Sequence, residues 1–226
     1  MPESKKVLYL GTDPSFYLSQ FKCDLIHCPL IHIKLLEDNL LLLKERWPSF
    51  SHVLITSKQT IRLLSHHHLS FFNKRFIALG PSSAKEIKDH GGNVIQTFSS
   101  PCQEGGVEAL KNFDWNEVNL VYPRSLLARD HLSTFLQEAL SEESLFVCDL
   151  YEVVQQPPPL SFDWHGIEEV IFTSPSVVKA FFSIFESLPF HIKPVCIGPV
   201  TKNTLEKLSN QSSFGCELPL KNLYKF

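Results

Sequence analysis

Two short motifs recur in the same order in the two halves of the chain, and this repeat limits the fold more than any other feature. Ile55-Thr56-Ser57 returns as Phe172-Thr173-Ser174 at an offset of 117 residues, and Gly80-Pro81-x-Ser83 returns as Gly198-Pro199-x-Thr201 at an offset of 118. Pro101 and Pro219 keep the same offset of 118. Solenoid arrays repeat every 20–50 residues or so. A period this long instead marks two similar lobes, each large enough to hold its own core.

The landmarks stand where apolar runs give way to helical patterns. Strand-like runs occupy 6–11, 52–57, 75–80, 118–122, 168–174 and 194–198. They are apolar at successive rather than alternate positions, as strands covered on both faces are. Helical periodicity lies between them, at 57–65, 83–90, 128–140, 176–187 and 200–208. Alternating strand and helix predicts an α/β protein of two similar lobes, each a parallel sheet flanked by helices. The "QQPPPL" stretch at 155–160 is the clearest linker, since consecutive prolines favour extended geometry. "PLIHIKLL" at 29–36 is the partner crossing. With linkers near 29–36 and 152–160, residues 1–32 and 155–226 form one lobe and 33–154 the other.

A net charge of −3 leaves no whole-molecule basic field to hold nucleic acid. The N-terminal stretch has no apolar run of signal-peptide length, and the charges in "LLEDNLLLLKERW" argue against a membrane span. Cys23, Cys28, Cys102, Cys148, Cys196 and Cys216 are scattered without a C-x-x-C pair, so reduced thiols in a cytoplasmic protein are expected. An anionic ligand must then be held by local groups. Ligands of open parallel sheets bind beyond the carboxyl ends of the strands. Helices that start there offer unpaired N–H groups and a partial positive charge. Ser57, Ser83, Ser174 and Thr201 stand at such entrances. Each alone is best explained as a helix cap; all together they point to an anion site.

Other groupings carry less. Cys23, His27, Cys28 and His32 alternate through an apolar strand-like stretch and do not converge as tetrahedral zinc ligands do. His66, His67 and His68 are adjacent and face different ways. Ser174 lacks a Gly-x-Ser-x-Gly elbow, and no P-loop or G-x-G-x-x-G is present.

"EEVIFTSPSVVKAFF" followed by "KPVCIGPVTKNTLEKL" resembles the C-terminal half of the uroporphyrinogen-III synthase family. "CPLIHI", "LVYPRSLLARDHLSTFL" and "VCDLYEVV" resemble that family's crossing segment, Arg-bearing helix and tyrosine-bearing strand, so the resemblance spans most of the chain. It implies a monomeric, cytoplasmic enzyme of two α/β lobes with a two-stranded connection, using neither metal nor organic cofactor. The implied reaction dehydrates hydroxymethylbilane and closes the macrocycle with inversion of the terminal pyrrole ring. The implied partners are that substrate and, transiently, the hydroxymethylbilane synthase that supplies it; neither nucleic acid nor membrane is expected. Tyr151 matches the family tyrosine and would assist departure of the hydroxyl as hydrogen-bond donor or general acid. Geometry outweighs acidity in that role, since an ordinary tyrosine is protonated at neutral pH. Thr201, Gly198, Ser174 and Ser176 would hold substrate carboxylates from one lobe, and Ser57, Ser83, Arg124 and Arg129 from the other. Asp13, Lys58 and the "YPRS" turn depart from the family pattern. A two-lobed binding or sensor protein that clamps a small anion without chemistry is the alternative. A tandem of phospho-receiver domains fits less well, because no strand-end acidic cluster with a paired lysine recurs.

Overall fold

The computed structural model describes residues 5–20, 23–98, 103–158, 163–211 and 221–222. Pro101, Cys102, Pro159, Leu160, Cys216 and Pro219 lie outside them. In chain order the elements begin with β1 (Lys6–Tyr9), α1 (Ser15–Gln20), β2 (Asp24–His27), β3 (Ile31–Leu35), α2 (Glu37–Arg46) and β4 (His52–Ile55). There follow α3 (Lys58–His66), β5 (Arg75–Leu79), α4 (Pro81–Asp89), β6 (Asn93–Phe98), α5 (Gln103–Leu110), β7 (Leu120–Ser125) and α6 (His131–Ala139). The last are β8 (Leu145–Gln155), β9 (Ile167–Phe172), α7 (Pro175–Phe185), β10 (Lys193–Cys196), α8 (Pro199–Gln211) and β11 (Lys221–Asn222).

The chain divides into two compact units, Met1–Ile33 with Val153–Phe226, and Lys34–Glu152. The first holds a sheet in the order β11-β10-β9-β1-β2, parallel at each neighbouring pair. The second is built on the order β3-β8-β7-β4-β5-β6, parallel from β8 to β6. β3 runs antiparallel to β8: Leu36 N–H donates to Leu150 O and Gln156 N–H to Leu30 O, so one strand advances as the other retreats. The chain passes between the units within β3 and again within β8.

The apolar runs form central strands because both of their faces are covered. Leu8 of β1 and Leu10 just beyond it pack with Phe172, Val178 and Phe181 on one side of the sheet. Val7 and Tyr9 pack with Tyr17, Ile171 and Val195 on the other. In β4 all four residues are buried. The edge strand β6 instead alternates exposed and half-buried positions, so its sequence lacks the continuous apolar signature.

Local boundaries differ from the periodicity in instructive ways. α4 starts at Pro81, where a proline costs nothing because the first helical N–H is unpaired anyway. α6 starts only at His131, because Ser125–Ala128 closes a turn through Ala128 N–H to Ser125 O at 2.9 Å. Arg129 is thus exposed in the loop ahead of that helix. The stretch from Cys23 to His32 is two strands separated at Cys28–Leu30, not one. Among the described residues no helix is long and apolar enough to cross a membrane.

Phe181 anchors the first unit's core. It is fully buried, with ring centroids of Phe172 at 5.2 Å, Phe185 at 5.0 Å and Trp164 at 6.0 Å. Phe181→Ala removes this packing and is expected to destabilise the protein by about 3–5 kcal/mol, read as a lower urea midpoint.

Candidate functional site

In the second unit the carboxyl end of β4 runs into Thr56 and Ser57, and Ser57 caps α3. Its Oγ accepts a hydrogen bond from Gln59 N–H at 3.2 Å. Tyr151, 4% exposed on β8, donates its O–H to the same Oγ at 3.4 Å. A hydroxyl accepts two hydrogen bonds and donates one. With both acceptor positions of Ser57 engaged, its own proton remains for a third partner. At 3.4 Å the Tyr151 contact lies beyond the usual range for O–H···O bonds, so it is weak and readily exchanged.

A second tyrosine lies beside the first. Tyr122 on β7 is fully buried, and its hydroxyl is 3.5 Å from Thr56 Oγ1. Burial raises its pKa above the ordinary tyrosine value, which keeps it a neutral phenol. Next along β7, Arg124 is buried and internally engaged. Its Nε donates to Asp149 Oδ1 at 2.8 Å, and its Nη1 reaches Ser133 Oγ and Asp130 Oδ1 at 3.0 Å each. Burial works against its charge, but the hydrogen bonds to Asp149 and Asp130 outweigh it, so the guanidinium holds its proton more firmly than usual. This network ties the end of β7 to β8 and to the start of α6. The turn after β7 carries Leu126 and Leu127 at its tip, 45% and 66% exposed. Leu126 N–H donates to Tyr151 O at 2.8 Å, which sets this apolar tip beside the tyrosine's strand.

Gly80 follows the end of β5 and caps α4 with φ of +89°, a conformation that favours glycine. Its carbonyl accepts the N–H of Ala84 at 3.2 Å. Ser83, the third helical residue, is 4% exposed and is not the cap.

The first unit repeats both arrangements. Ser174 caps α7, accepting from Val177 N–H at 3.3 Å, and Ser176 is half-buried one turn position on. Gly198 O accepts the N–H of Lys202 at 3.0 Å, and Thr201 lies at the third position of α8, 4% exposed. The two halves of the sequence repeat therefore have different jobs. Ser57 and Ser174 are caps, whereas Ser83 and Thr201 place a buried hydroxyl at the third helical position, three residues after a glycine. Within the second unit the structure brings Ser57 and Tyr151 together, while Arg129 lies in the loop ahead of α6. Tyr122, Asp130, Ser133 and Asp149 carry no signal of their own in the sequence, and Thr56 stands out only as part of the repeat. The pairing of β7 with β4 and β8, and the contacts of the α6 start with Arg124, make them neighbours.

Two solved structures share this fold. Uroporphyrinogen-III synthetase from Helicobacter pylori aligns with a TM-score of 0.61 at 20% identity, over 90% of this chain and 88% of that one. A mutant uroporphyrinogen III synthase from the extremely thermophilic bacterium Thermus thermophilus aligns with a TM-score of 0.58 at 13% identity, over 91% and 89%. No curated protein matches the sequence. The sequence pattern of the family described as uroporphyrinogen-III synthase HemD matches residues 16–213. That match takes in both repeats and Tyr151, and the chain belongs to the uroporphyrinogen-III synthase family, an enzyme family of cyclising lyases.

Proposed function

We propose that this protein converts hydroxymethylbilane to uroporphyrinogen III, with Tyr151 and the strand-end helix entrances as its working groups. The observation that carries this reading is the Tyr151–Ser57 pair at the mouth of α3, in a chain whose family match runs through both residues. The site's composition fits such a substrate. Hydroxyls and helix N-termini suit carboxylate arms, and the exposed Leu126–Leu127 tip suits an apolar ring.

The bond to the terminal hydroxyl breaks with its electron pair on oxygen. Tyr151 donates its O–H to that oxygen, which departs as water. Closure onto the inverted terminal ring releases a proton that returns to the tyrosine oxygen. The substrate is intrinsically prone to lose water and close without inversion. The protein's contribution is therefore to hold the strained arrangement that favours the inverted product, which is catalysis by positioning. Ser57, Ser83, Ser174, Ser176, Gly198 and Thr201 are assigned to the carboxylates. Arg129 adds charge from its exposed loop. Arg124 already holds two aspartates, and its role is to keep the β7 and β8 ends in place beneath Tyr151. The reading carries with it a cytoplasmic monomer that receives its substrate from hydroxymethylbilane synthase.

The direct test supplies porphobilinogen and its deaminase, adds this protein, oxidises the products and resolves the isomers. Type III porphyrin is expected; type I alone would refute the activity and favour a non-catalytic anion binder. Tyr151→Phe keeps the ring and removes the donor, and turnover is expected to fall by about 10²-fold, the lower range for a positioned proton donor. Unchanged turnover would remove Tyr151 from its role. Thr201→Val, nearly the same shape without the hydroxyl, is expected to raise KM about fivefold, as loss of one hydrogen bond does, with kcat and the thermal midpoint little changed.

A further inference from the structure

We propose that His27 is a carboxylate-binding residue of the first unit, a role that rests on the reading of a carboxylate-bearing substrate. His27 is the last residue of β2 and pairs with Tyr9, the last residue of β1, in parallel register. It therefore lies on the same carboxyl edge of the sheet from which Thr173–Ser174 and Gly198–Thr201 depart. Its Nε2 is 2.8 Å from Gly11 O. A carbonyl only accepts, so Nε2 carries a proton and the tautomer is set. The ring is exposed, and among the described residues Nδ1 has no partner. An imidazole anchored through one nitrogen donates from the other when it is protonated, and a carboxylate is the natural acceptor.

The anchor is itself tightly placed. A Cβ on Gly11 would lie 2.7 Å from Thr173 Oγ1 and Cγ2, and 2.9 Å from the Tyr9 hydroxyl, so only glycine permits this approach. The Tyr9 hydroxyl donates to Asp13 O at 2.6 Å, while the Asp13 carboxylate accepts from Ser15 N–H at 3.0 Å. Side chains of β1 and β2 thus hold the loop after β1 at two carbonyls, Gly11 and Asp13. Through Gly11 the anchored imidazole is contiguous with Thr173 and the Ser174 cap of α7. A bound arm would meet His27, the Thr173 region and the α7 entrance along one sheet edge.

The test uses the full chain and uroporphyrin III as the probe, with binding followed by fluorescence. His27→Gln retains a donor for Gly11 O but can carry no charge; His27→Arg retains a donor and is always a cation. Binding is expected to weaken about five- to tenfold in His27→Gln, in the range of one charge-assisted hydrogen bond at a partly wet site, and to recover in His27→Arg. In turnover the loss is expected in KM, with kcat within twofold or so. Equal binding by wild type and His27→Gln would overturn the proposal. So would equal weakening in both variants, which would mean that the ring only supports the loop. A wild-type chain that makes type I isomer alone defeats the synthase activity instead. That outcome is separate from a protein that makes type III isomer with an inert His27.

Discussion

In a parallel sheet every strand hands the chain to its helix at the same edge, and the first turn of each helix leaves N–H groups unpaired. This polarity governs the rest of the molecule. It gathers the entrances of α3 and α4 at one edge in the second unit, and those of α7 and α8 at one edge in the first. Each entrance carries roughly half a positive charge and stabilises a nearby anion by about 0.3–1 kcal/mol at the surface. One alone is a feeble binding site. On the proposed reading, a ligand with several carboxylate arms engages more than one entrance along a sheet edge, so no net basic charge is needed to hold it.

The entrances are dressed mainly with neutral hydroxyls, and that of α3 adds the exposed Lys58 at its first residue. Ser57 and Ser174 serve the backbone first, and Ser83 and Thr201 sit buried at the third position of their helices. The buried guanidinium of Arg124 is matched by Asp149 and Asp130. A buried arginine stripped of those partners would be costly. Its network holds β7 against β8 where their register shifts by one residue, from Arg124 opposite Asp149 to Ser125 opposite Tyr151. Weak contacts such as Tyr151 to Ser57 are what a donor needs if it is to turn to a substrate oxygen without losing a strong bond.

Much of this was legible in the sequence, for physical reasons. The central strands are covered on both faces, so their apolar residues run without a break. The helix entrances carry Gly, Pro, Ser and Thr, whose backbone and capping preferences are local. Edge and short elements were harder: β6 mixes polar and apolar residues without a regular period, and α1 spans only six residues. Arg124 illustrates the limit best. From sequence it reads as a carboxylate clamp, yet its aspartate partners stand at 130 and 149 and meet it only through tertiary packing. The Tyr151–Ser57 pair, 94 residues apart, was invisible for the same reason, although each residue stands out alone.

The central claim is that carboxylates are received at the helix entrances on the carboxyl edges of both sheets. Backbone-amide NMR of the labelled protein titrated with uroporphyrin III tests it most directly. The account predicts the largest shifts at the amides opening α3, α4, α7 and α8, around residues 58–60, 82–84, 176–178 and 200–202. Shifts confined to the opposite edge, around His52, Arg75 and Lys193 at the strand starts, would contradict it.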